Sequence, residues 1–153
     1  MNHKKYIKRA VKLSEEALKE GDNPFGAVIA DKEGVLTEAK NKTTGDVTGH
    51  AEIIAMKKAQ KILNTNDLSN YTIYSSCEPC PMCAFMIREL KFKRVVFSLA
   101  SPFMGGYSKW NILEDEELMK FEPVFSDPPE IIFGILKEEA SEVFKKAGWT
   151  IDS

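Results

Sequence analysis

The chain has 153 residues, 43 % hydrophobic and 29 % charged, enough for one domain with a sizeable core and ordinary for a globular protein. A net charge of −2 and a pI near 5.8 argue against a strongly basic nucleic-acid-binding domain, leaving room for a local basic patch at most. No apolar run approaches the ~20 residues of a membrane helix. The start, Met1-Asn2-His3-Lys4-Lys5-Tyr6, lacks the apolar core of a secretory signal, so a cytoplasmic protein is expected.

In chain order, Tyr6, Ile7, Ala10, Val11, Ser14, Ala17 and Leu18 follow helical spacing, and Gly21 is a stop. Asp22-Asn23-Pro24 is a turn signal. Gly26 to Ala30 reads as a buried strand, Glu33-Gly34 as a hairpin turn, and Val35 to Ala39 as the second strand. A polar loop, Asn41 to Gly49, leads to a helix from His50 to about Leu63. Tyr71 to Ser75 is the third strand. Pro81 suits the first turn of a helix reaching Leu90, because its missing N–H would be unpaired there anyway. Arg94 to Leu99 is the fourth strand. The stretch from Pro102 to Pro129 predicts one helix, Ile112 to Lys120, inside loops. Ile131 to Leu136 is the fifth strand, and Glu138 to Ala147 a last helix stopped by Gly148. This alternation predicts an α/β layered sheet, mixed because of the first hairpin, in a single domain over residues 1–153.

Cys77, Cys80 and Cys83 are the only cysteines and fall within seven residues, a pattern of metal binding rather than of a disulfide framework. Zinc favours nitrogen and thiolate donors in a tetrahedron. Cys80 and Cys83 lie i and i+3 at a predicted helix start, so their sulfurs can converge, and the helix dipole favours their thiolates. His50 would add a third ligand from another helix start, leaving a fourth position for water. Glu52 stands at i+2 from His50, nearly opposite on a regular helix. The two can serve one site only at the helix end, where the carboxylate can move a proton without binding metal.

His50-Ala51-Glu52 with Pro79-Cys80-Pro81-Met82-Cys83 matches the His-x-Glu … Pro-Cys-x-x-Cys signature of zinc nucleobase deaminases. The chain resembles the cytidine deaminase-like superfamily, in particular its bacterial guanine deaminases and tRNA-specific adenosine deaminases. The resemblance runs through Asn23-Pro24-Phe25-Gly26-Ala27-Val28-Ile29, Asn41, and Ser76-Cys77-Glu78-Pro79-Cys80, with Glu130 to Val143 similar to the end of the tRNA-editing branch. It implies a three-layer α/β/α domain with a five-stranded mixed sheet, one zinc per subunit on His50, Cys80 and Cys83, Glu52 as catalytic acid and base, and a homodimer. The substrate that the resemblance implies is a nucleobase or nucleoside, with guanine favoured and adenosine in a tRNA anticodon loop as the alternative. Candidate substrate contacts are Phe25, Asn41, Ala51 and Pro79; Tyr107 and Trp110 read first as core aromatics and, beside a flexible Gly105-Gly106 pair, second as stacking or pocket-closing groups. Ser101 to Trp110 and the acidic stretch after it match neither branch.

Other readings compete. Cys77 could complete a closed Cys3His structural site, making the chain a zinc-stabilised interaction module and leaving Glu52 without a task. Arg88, Lys91, Lys93 and Arg94 read as a solvated helix end in preference to a phosphate-binding patch. Glu114 and Asp115 read as a surface helix start.

Overall fold

The computed structural model describes residues 2–149. The first helix, α1 (His3–Lys19), is capped by Asn2, whose side-chain oxygen accepts the Lys5 N–H. Its stripe of Tyr6, Ile7, Ala10, Val11 and Ala17 is buried. Strands β1 (Gly26–Asp31) and β2 (Gly34–Lys40) form the first hairpin. Helix α2 (Ala51–Leu63), β3 (Thr72–Cys77), α3 (Pro81–Glu89) and β4 (Arg94–Leu99) follow. β5 (Glu130–Phe133) and α4 (Lys137–Lys146) complete the described elements.

The sheet order is β2-β1-β3-β4-β5. β1 is antiparallel to both β2 and β3, while β3, β4 and β5 run parallel. The sheet is therefore mixed and five-stranded, as the hairpin implied. Alternate residues of the central strands feed two cores. Ala27, Ile29, Ile73, Val95 and Phe97 face Met56, Ala84 and Ile87 of α2 and α3. Val28, Ala30, Tyr74 and Val96 face Ile7, Ala10 and Phe144 of α1 and α4. Burial of each such large side chain is worth about 1.5–3 kcal/mol, and strands covered on both faces need apolar residues at successive positions. The result is a three-layer α/β/α domain. The start of β1 and the ends of β2 and β3 meet at one rim of the sheet, where α2 and α3 also begin.

Two predicted elements differ. Ile112 to Lys120 is not an α-helix; a 3₁₀ turn occupies Glu116–Phe121. The Arg88 guanidinium donates to the carbonyls of Ile112, Leu113 and Asp115, and the Ile112 carbonyl also accepts the Asp115 N–H at 3.3 Å in a tighter i to i+3 turn. The fifth strand ends at Phe133, because Gly134 (φ 90°) and Leu136 (φ 54°) leave the extended region.

Candidate active site

His50 is the N-cap of α2 and Cys80 the N-cap of α3, with Cys83 in the first turn of α3. His50 Nδ1 lies 3.5 Å from each sulfur, and the sulfurs are 3.7 Å apart. A tetrahedral zinc with bonds of about 2.3 Å to sulfur and about 2.05 Å to nitrogen requires about 3.8 Å between sulfurs and about 3.6 Å from nitrogen to sulfur. The three donors thus stand at the spacing that zinc requires. The local sequence explains this spacing. Pro81 starts α3 with its ring in place of an orphan N–H, and the i, i+3 offset stacks the two sulfurs on one face. The Cys83 hydrogen bond pushes Cys80 down to about 4, while that bond and burial raise Cys83 well above an ordinary thiol. The hydrogen bond to Cys80 raises His50.

Glu52 is the second residue of α2 and is 5 % exposed. Because His50 is a cap with extended backbone (ψ 143°) and not a helical residue, the i, i+2 pair converges at the helix end. Burial pushes the Glu52 carboxyl up to about 7, partly opposed by a hydrogen bond from Cys83. The Ser75 hydroxyl donates to its Oε1 at 3.2 Å.

Cys77 ends β3 and is buried in the core on the α1 and α4 side. Its sulfur does not join the cluster of His50, Cys80 and Cys83, and burial pushes its thiol up. The closed Cys3His reading is thereby corrected: the last strand residue is packed against the other layer.

Beside the donors lies a cavity of about 630 Å³, a size typical of small-ligand sites. Phe25, Asn41, His50, Glu52 and Cys80 line it. Asn41 Oδ1 accepts the Ala51 N–H at 2.7 Å, and the Asn41 N–H donates to the Phe25 carbonyl. Ala51 is fully buried, so it bears on the cavity through this backbone link. The Pro79 carbonyl accepts the Gly106 N–H at 2.8 Å. Tyr107 and Trp110 are placed outside the cavity lining. The Tyr107 ring packs edge-on to Phe97 and tilted against Phe133. Trp110 is half-exposed, with Lys109 over its ring.

The aromatic groups that do line the cavity include Phe103, Phe144 and Trp149, together with Met104. Phe25, Phe144 and Trp149 form an edge-to-face trio with centroids 5.5–5.6 Å apart. Periodicity marks Phe144 only as one more apolar residue of a helix, so no local signal separates it from the core. Glu78, also on the cavity wall, was noted only within a matched motif. Arg88 corrects the basic-cluster reading: it is 2 % exposed and donates to four backbone carbonyls. Arg94 pairs with Glu130 at 2.8 Å. Asp115 caps the 3₁₀ turn, in keeping with a surface helix start.

Three spaced donors, a buried carboxylate beside them and an adjoining cavity are the arrangement of a metal-assisted hydrolase. The chain belongs to the family defined by the cytidine and deoxycytidylate deaminase zinc-binding region, matched over residues 1–99. It is 42 % identical over 101 residues to a guanine deaminase of Bacillus subtilis (strain 168), a stretch covering 64 % of this chain and 65 % of that protein. It is 33 % identical over 138 residues to a tRNA-specific adenosine deaminase of the same organism, covering 88 % of this chain and 81 % of that one. The solved guanine deaminase structure from Bacillus subtilis superimposes with a TM-score of 0.64 at 30 % identity, covering 98 % of this chain and 96 % of that chain.

Proposed function

We propose that residues 1–153 form one zinc-dependent hydrolytic deaminase domain acting on a neutral nucleobase or nucleoside, with a guanine-type purine favoured. Water adds to the ring carbon bearing the exocyclic amine, ammonia leaves, and a carbonyl remains. His50, Cys80 and Cys83 would hold the zinc, which when bound would supply the Lewis acidity that makes water nucleophilic near neutral pH. Glu52 takes a proton from water and delivers it to the ring nitrogen, then takes the proton of the newly added hydroxyl and delivers it to the amine, which departs as ammonia. A carboxyl raised to about 7 by burial suits both directions of that transfer, and the Ser75 hydroxyl orients it. The Ala51 N–H engages Asn41 Oδ1, which turns the Asn41 amide N–H groups toward a ring acceptor. Phe25, Phe144 and Trp149 supply an apolar wall for the base.

The observation that carries the reading is the buried Glu52 carboxylate beside three donors at zinc spacing. The cavity chemistry narrows the substrate. Among the described lining residues there is no lysine or arginine, which favours an uncharged base over a nucleotide phosphate. The 42 % identity to a guanine deaminase supports guanine. The alternative is editing of adenosine in a tRNA anticodon loop. It is supported by the longer match to tRNA enzymes and by the exposed Phe103 and Met104 at the cavity, which offer stacking surface to a flipped-out base.

Ammonia release from a panel of bases, nucleosides and a tRNA anticodon stem-loop tests both. Turnover of a small neutral base is insensitive to added salt, whereas tRNA binding weakens steeply. Glu52→Gln keeps zinc and loses about 10²–10⁴-fold in turnover; an active variant refutes Glu52 as proton carrier. A homodimer is part of the proposal, supported by the exposed Met82 and Phe85 on α3 and checked by sedimentation. So is cytoplasmic residence, supported by cysteines placed for metal binding and not for a disulfide framework. No helix among the described residues is long and apolar enough to cross a membrane.

A further inference from the structure

Glu78 sits in the turn between β3 and α3 and is 5 % exposed. Its Oε1 accepts the Ser101 N–H at 3.0 Å and the Ser108 hydroxyl at 2.5 Å. Its Oε2 accepts the N–H groups of Tyr107 at 3.0 Å and Ser108 at 2.8 Å. All four partners are used as donors, a pattern that suits a carboxylate and no amide. Both oxygens are engaged by the loop after β4, so they are committed to holding chain and not to binding substrate.

The two glycines of that loop are there for close approach. A Cβ on Gly105 would lie 1.6 Å from Glu78 Oε2, and one on Gly106 would lie 2.4 Å from the Ala84 Cβ and 3.1 Å from the Pro79 and Cys80 carbonyl oxygens. Neither needs a positive φ. The pair expected to be flexible is instead buried and pressed against the turn that carries Cys80. Phe103 and Met104 are 56 % and 64 % exposed, yet they line the cavity. Little packing of their own fixes them, so their position is inherited from the anchored ends of the loop.

We propose that Glu78 is a positioning residue that holds loop 101–108 as the selective wall of the substrate cavity, setting which base is bound and how tightly. The inference rests on the deaminase reading for its substrate. Glu52 and the metal donors stand on α2 and α3, outside this loop. Release of the loop therefore weakens binding more than it slows proton transfer. Three buried or half-buried backbone N–H groups would lose their acceptor, and such groups are costly to leave unpaired.

The test uses the zinc-loaded full chain and Glu78→Gln, which keeps the shape but presents an NH₂ group to donors. KM for the base turned over rises about tenfold, kcat stays within about threefold, and the preference for that base over the others in the panel narrows. Hydrogen exchange at the amides of Ser101, Tyr107 and Ser108 accelerates with zinc content unchanged. Gly105→Ala displaces the same carboxylate without altering its charge. It gives the same split and serves if Glu78→Gln does not fold. Unchanged hydrogen exchange, an effect confined to kcat, or loss of zinc overturns the proposal. Hydrogen exchange is read without substrate, so its failure sinks the clamp, whereas a wild-type chain that turns over no base sinks the deaminase reading.

Discussion

Replacing Arg88 by methionine removes a guanidinium that holds a long irregular segment in place. Nη1 donates to the carbonyls of Ile112 and Asp115 at 2.8 Å and of Leu113 at 3.3 Å, and Nη2 donates to that of Ser126 at 3.3 Å. Methionine keeps the reach and the apolar stem but removes the guanidinium from four carbonyls, of which that of Ile112 retains the Asp115 N–H at 3.3 Å. An unsatisfied buried acceptor costs about 1–3 kcal/mol. The two longer bonds are replaced readily by water, so the loss comes mainly from the two short ones. Release of a desolvated cation offsets part of it, since burial already pulls the Arg88 pKa down. The net expectation is a destabilisation of about 3 kcal/mol, a large share of the 5–15 kcal/mol typical of a domain. With a urea m-value of about 2 kcal/mol/M, the midpoint falls by about 1.5 M. Urea unfolding of both zinc-saturated proteins measures it, and Arg88→Lys should fall between them because an ammonium cannot fork across four carbonyls. A methionine variant as stable as the wild type refutes the view that these carbonyls depend on Arg88.

Cys77→Ser retains zinc whereas Cys80→Ala loses it, read by metal analysis after dialysis; loss of zinc from both would restore a closed four-ligand site. For Tyr74, burial pushes the phenol up to about 12. A raised pKa in the folded state gives stability that is complete below the unfolded value near 10 and is lost as pH rises through about 12. Tyr74→Phe therefore lowers the alkaline slope by about 2 kcal/mol over that window, although it also removes the 2.7 Å hydrogen bond between the Tyr74 hydroxyl and His3 Nδ1. The difference between the two denaturation curves, followed from pH 9 to 12 with tyrosinate absorbance, checks the sign, and parallel curves refute it.

Much of this architecture was legible in the residues because its causes are local. Period-2 and period-3.6 patterns placed most helices and strands within a few residues, since each needs its apolar positions on one or two faces. The irregular region after β4 was not legible. Its conformation answers to Arg88 and Glu78, both distant in sequence, and neither leaves a periodic trace. Tyr107 and Trp110 illustrate the limit. Their aromatic character suited core and cavity alike, and the clamp on Tyr107 N–H goes with a ring packed on Phe97 and Phe133.

The amino-acid order alone brought out the three candidate donors and the carboxylate beside them. Two thiols at i and i+3 behind a proline, and an imidazole two residues before a carboxylate, build their geometry at helix starts within one turn of chain. Tertiary structure decided what surrounds them. The cavity walls come from Phe25 at β1, Phe103 and Met104 after β4, and Phe144 and Trp149 from the far layer. Such walls are set by packing between elements, and packing between distant elements is fixed only when the whole sheet has closed its layers.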